Sequence, residues 1–114
     1  MLSLSSKLRY FVCSTPIDIR NGFDGLSGIV RNHLKNDPST GDIFIFLNKS
    51  YTHIKMLYWD GDGFALFYKR LEAGKYSLPT HCESSRELKR NELLMLLEGL
   101  DFAKIRQKKR YKKD

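Results

Sequence analysis

The side chains able to do chemistry are the carboxylates, three histidines and two cysteines, and their spacing decides what they can do. Asp18, Asp24, Asp42, Asp60 and Asp62 raise the question of metal-dependent phosphoryl chemistry, which needs two or three carboxylates converging on the ions. Local roles explain them better. Asp24 and Asn21 stand at the start of a helical pattern, where a short acceptor caps free N–H groups. Asp42, Asp60 and Asp62 sit in turns beside glycines, where Asp is favoured for its own backbone hydrogen bonds. His33, His53 and His81 show no ligand spacing. His81 and Cys82 are paired by adjacency alone, and neighbours on an extended chain point to opposite faces. Cys13 and Cys82 form no CxxC motif and read as ordinary reduced thiols. No GxSxG elbow and no phosphate-cradling glycine loop is present. These residues point away from an enzyme, and no metal or cofactor is expected.

The cations are the better lead. The chain carries a formal net charge of +7 over 114 residues. Residues 104–114 hold Lys104, Arg106, Lys108, Lys109, Arg110, Lys112 and Lys113 against Asp114 alone, so most of that excess belongs to a terminal arm. Such an arm suits phosphate neutralisation on nucleic acid, and a solvated tail that aids solubility explains it equally well. Lys55, Lys69 and Arg70 stand among Tyr58, Trp59, Phe67 and Tyr68. A face of this kind meets phosphates with its cations and stacks bases on its rings. The plainer reading packs the rings in the core and lets the cations snorkel at its rim, and it suits Trp59, Phe64 and Phe67 best.

The elements that must position these groups centre on residues 41–71. Three apolar runs, at about 43–47, 54–59 and 64–71, are rich in Ile, Phe, Tyr and Trp and too short for ordinary helices. Asp60-Gly61-Asp62-Gly63 between the second and third is a strong hairpin signal. The runs predict a three-stranded antiparallel meander, apolar on both faces and needing cover on both. Leu26, Ile29, Val30 and Leu34 recur at helical spacing and predict a helix over about 22–35, stopped before Pro38. Gly25 and Gly28 inside it suit close approach to the sheet. Leu93, Leu94, Leu96 and Leu97 predict a second helix over about 90–98. Residues 8–13 read as a short strand and 75–78 as another, while 80–85 read as a loop or a frayed edge. The expected architecture is α+β: one domain, 1–103, built on an antiparallel sheet, followed by a flexible basic arm, 104–114. Only two helices are available to cover the sheet, so one face is expected to be incompletely covered. No run approaches the roughly 20 apolar residues of a membrane span, and the first residues make a poor signal peptide, which points to the cytoplasm.

Four stretches together resemble one family: DIRNGFDGLSGIV (18–30), GDIFIFLNKS (41–50), IKMLYWDGDGFALFYKRLEAGKY (54–76) and ELLMLLEGLD (92–101). Their order and spacing are similar to the small accessory protein, the second open reading frame or TnpB, of insertion sequence 66 transposons, which is unrelated to the RNA-guided nucleases of the same label. Relatives tend to place Ser or Thr before the last helix, where this chain has Lys89. The resemblance implies a bacterial auxiliary factor for transposition working beside a separate DDE-type transposase, with no catalytic residues to carry over. Two functions fit. One is a non-catalytic accessory factor that contacts DNA, at transposon ends or nonspecifically, through Lys55, Lys69, Arg70 and the arm. The other is a protein-interaction module that assembles the transposase without binding DNA itself. A homo-oligomer is open under either.

Overall fold

A computed structural model of the chain describes residues 8–78 and 85–98. Seven elements follow in order: β1 (Tyr10–Cys13), α1 (Phe23–Asn32), β2 (Ile43–Leu47), β3 (His53–Trp59), β4 (Phe64–Arg70), β5 (Ser85–Leu88) and α2 (Arg90–Leu97). The strands form one five-stranded sheet in the order β4-β3-β2-β1-β5. The α+β class holds, and so does the β2-β3-β4 meander, with Phe44 opposite Leu57 and Met56 opposite Phe67.

The sheet is mixed rather than wholly antiparallel. β1 runs parallel to β2, Tyr10 beside Ile43, because α1 carries the chain back across one face between them. The bidentate contact of Arg9 with Asp42, at 2.8 and 3.1 Å, fastens the start of this parallel pair. β5 then pairs antiparallel with β1 and closes the far edge. Its first residue falls within the stretch expected to be a loop or frayed edge, while residues 79–84 lie outside the described residues. Residues 75–78 add no strand. Tyr76 is instead held by its N–H on the Tyr51 carbonyl at 2.7 Å, with its ring buried.

Each face of the sheet has its own helix. On one, Leu26, Val30 and Leu34 of α1 and its C-terminal turn pack on Phe44, Phe46 and Leu57. On the other, Leu93 and Leu96 of α2 join Tyr10, Val12, Ile43, Ile45 and Met56. β2, the middle strand, is therefore buried at every residue, which is why it reads IFIFL without alternation. β4 is only half-buried at best.

α2 starts where it was expected, but the cap of α1 differs from expectation. Gly22 is the N-cap of α1 and supplies no side-chain acceptor. Asn21 instead turns back, its side-chain amide donating to the Asp18 carbonyl at 2.9 Å. Asp24 sits in the first turn, where its charge complements the helix dipole. At α2, Lys89 has no acceptor to offer, so Glu92 supplies the cap from the other side, its carboxylate accepting the Lys89 N–H at 2.9 Å.

Candidate nucleic-acid interface

Lys55 lies inside β3, opposite Tyr68 of β4. Its side chain is on the α1 face and only 7% of the residue is exposed. A buried ammonium needs partners for its donors. The Nζ donates to the Ile19 carbonyl at 2.6 Å and the Asn21 carbonyl at 2.8 Å, and lies 4.8 Å from the centre of the Tyr68 ring. This cation therefore pins the loop before α1 down across β3. It faces away from solvent and is not placed to meet a phosphate.

The pinned loop sets the next layer out. Asp18 and Arg20 pair along it, with Nη2 donating at 2.6 Å and Nε at 3.0 Å, while the Arg20 backbone N–H also donates to the Asp18 carboxylate at 2.9 Å. These contacts hold the Asp18 carboxyl well below the usual carboxylate range, the guanidinium hydrogen bonds being the main cause. Across an open cleft of about 500 Å³ stands the β2–β3 turn, with Asn48, Lys49 and Ser50 facing Pro16, Ile17, Asp18 and Ile19. Asn48 organises that turn: its Oδ1 accepts from the N–H groups of Thr52 and His53 at 2.9 and 3.0 Å. Tyr51 takes a left-handed φ of 59° there. Lys49 is exposed at the turn's tip.

At the end of β4 the two expected cations part company, because strand alternation sends neighbours to opposite faces. Arg70 lies on the α1 face opposite His53 and pairs with Glu72 at 3.1 Å, both side chains well exposed. His53 stacks on Tyr68 with ring centres 6.0 Å apart. Lys69 lies on the α2 face, and its Nζ is 3.4 Å from the Leu97 carbonyl at the end of α2, the helix terminus that favours a cation. Lys55, Lys69 and Arg70 thus form no single patch. Arg20 and Lys49, which were not singled out in the sequence, are exposed on the 16–22 loop and on the β2–β3 turn that faces it across the cleft. The approach of turn to loop depends on the fold of the 16–22 segment, so spacing gave no signal of it. Lys104, Arg106, Lys108, Lys109, Arg110, Lys112 and Lys113 lie outside the described residues.

The acidic groups stay apart. Asp42 is held by Arg9, Asp18 by Arg20, and Asp60 and Asp62 sit in the β3–β4 turn. Among the described residues no three His, Cys, Asp or Glu side chains gather where a metal ion would fit. His81 and Cys82 lie outside the described residues, and Cys13 is buried, its thiol pushed up by that burial. Among the described residues no helix is long and apolar enough to cross a membrane.

Fold and surface together define a small α+β protein, one mixed sheet with a helix on each face, with Arg20, Lys49 and Arg70 exposed on its loops and strand end. The chain belongs to the IS66 Orf2-like family: the model of that family, TnpB_IS66, matches residues 8–107. This makes it an accessory protein of the IS66 type, associated with transposition. Over 108 residues it is 36% identical to y4jC, an uncharacterized protein of Sinorhizobium fredii, covering 95% of this chain and 92% of that one. A second uncharacterized protein of that bacterium, y4hO, is 31% identical over 102 residues, covering 90% and 89% of the two chains. No solved structure matches.

Proposed function

We propose that the protein is a non-catalytic accessory factor for DNA transposition that contacts DNA through the end of β4 and the C-terminal arm. One observation carries the reading: the Lys69 ammonium lies 3.4 Å from the Leu97 carbonyl. The chain thus leaves α2 beside Lys69. Lys104 follows Leu97 by seven residues, so it can start no further than roughly 25 Å from that point, at about 3.3–3.6 Å per residue. That bound keeps the start of the arm within reach of Lys69 on the α2 face, while Arg70 stands on the opposite face beside Glu72. Lys55 takes no part in the contact, being engaged with backbone carbonyls.

The test is affinity for duplex DNA across a salt series, for the full chain, for a chain ending at residue 103, and for Lys69→Ala/Arg70→Ala. Phosphate contact predicts log K falling with log salt, more shallowly in both variants. No binding even at about 50 mM salt would end the proposal.

β4 favours a second reading, the interaction module that assembles the transposase. Tyr68 is 54% exposed on a strand whose other rings are only half-buried. Co-purification with the transposase that is lost on Tyr68→Ser and indifferent to salt would select it.

A further inference from the structure

β4 is the terminal strand of the sheet among the described residues, and of the usual defences of an edge it has only the charges of its last two residues, Lys69 and Arg70. It is seven residues long and pairs with β3 in unbroken register, with no bulge and no proline. Its run of Phe64, Ala65, Leu66 and Phe67 is apolar on both faces and only partly buried. The opposite edge, β5, is four residues long and carries Arg86 and Glu87 in its sequence. We propose that a second copy of this chain pairs with β4 along that edge, antiparallel and two-fold, joining the two sheets into one.

The ladder's phase limits the register. The Asp60 N–H reaches the Gly63 carbonyl and the Leu71 N–H reaches the Thr52 carbonyl. In an antiparallel ladder such bonded positions alternate, so residues 65, 67 and 69 turn their backbone groups to β3. Residues 64, 66, 68 and 70 turn theirs outward. A two-fold mate must therefore set even-numbered residues against even-numbered ones. Two such registers keep most of the strand paired. Centring on Phe67 puts Arg70 opposite Phe64 of the mate, Phe67 against itself, and Asp62 opposite Glu72. Centring on Leu66 puts Arg70 opposite Asp62, Tyr68 opposite Phe64, and Phe67 opposite Ala65. The second matches charge with charge, ring with ring and large with small, and we assign it. Charge also argues against the basic arm of the same chain as the occupant, since it would lie against Lys69 and Arg70.

Sedimentation velocity of the full chain over a concentration series at physiological salt tests this. A concentration-dependent dimer is expected. Arg70→Asp and Asp62→Arg each set like charges opposite one another twice per dimer, and each weakens dimerisation about tenfold or more. The double variant Asp62→Arg/Arg70→Asp restores the pairs and the dimer. A register check uses Leu66→Cys, which links to itself on oxidation in a chain lacking Cys82, whereas Phe67→Cys does not. A monomer at every concentration overturns the proposal, as does a dimer indifferent to the charge swap. A monomer that dimerises only when residues 99–114 are removed would give the edge to the arm and overturn it too. None of these readouts involves DNA, so they stand or fall apart from the DNA-contact reading.

Discussion

Lys55 shows how a residue that looks like a ligand contact can belong to the framework. In sequence it is a cation among aromatics. Its partners, the carbonyls of Ile19 and Asn21, lie 36 and 34 residues away and leave no mark in side-chain composition. Replacing it by Met keeps the volume but strands two carbonyls. Lys55→Met should cost about 2–4 kcal/mol, read from the denaturant midpoint, since hydrogen bonds from a charged donor are worth ~1.5–3 kcal/mol each. Its DNA salt slope, corrected for folded fraction, should stay that of the unaltered chain. A lower slope at unchanged stability would return Lys55 to the interface. Asp18 carries a pH prediction. Arg20 lowers its carboxyl pKa in the folded chain, so the unfolded chain, titrating near ~3.9, takes up the proton first on acidification. The stabilisation is therefore present above about pH 4 and lost as pH falls below it. Because the pair is solvent-exposed, 1 M salt should remove most of the effect. Asp18→Asn should flatten the acid limb of stability against pH, and an unaltered limb would show that the pair does nothing for folding.

Among the elements, α1 separates two glycines that look alike in sequence. A Cβ built on Gly28 meets nothing within 4 Å, whereas one on Gly25 falls 2.2 Å from Asn21 Oδ1. Neither glycine is there for close approach to the sheet; Gly25 makes room for the Asn21 side chain that turns the loop. Gly28→Ala should therefore stabilise by up to about 1 kcal/mol through helix propensity and a less free unfolded chain. Gly25→Ala must push Asn21 off the Asp18 carbonyl and should give no gain or a loss. Thermal midpoints of the two variants settle it, and equal shifts would refute the Asn21 argument. The same contrast shows what was legible. The meander was, because β-branched and aromatic runs around Asp-Gly report locally on strands and turn. The parallel placement of β1 was not, because no local pattern says which neighbour a strand will choose. β5 was not, because SREL is short and half-charged, and its pairing with β1 comes from the fold.

For the molecule as a whole, charge is distributed more tellingly than it is summed. Of the net +7, nearly all belongs to residues 104–114, while the rest of the chain is close to neutral and three of its exposed cations face acids: Arg9 with Asp42, Arg20 with Asp18, Arg70 with Glu72. A body so near neutral attracts a polyanion only weakly by itself, since its positive and negative charges largely offset one another at a distance. The arm must then supply most of any salt-dependent affinity, and the size of the effect can be stated. Each phosphate neutralised on duplex DNA contributes about −0.9 to the slope of log K against log salt. If all seven arm cations engage, ending the chain at residue 103 should make the slope shallower by about 6, and if half engage, by about 3. Lys69→Ala should change it by about 1 at most, and Arg70→Ala by less, because Glu72 already competes for its guanidinium. The folded domain should keep its midpoint in the shortened chain, so affinity and stability separate cleanly. A slope that stays the same after the arm is removed would move the contact back onto the folded domain, and its exposed cations, Arg20, Lys49 and Arg70 among them, would become the place to look.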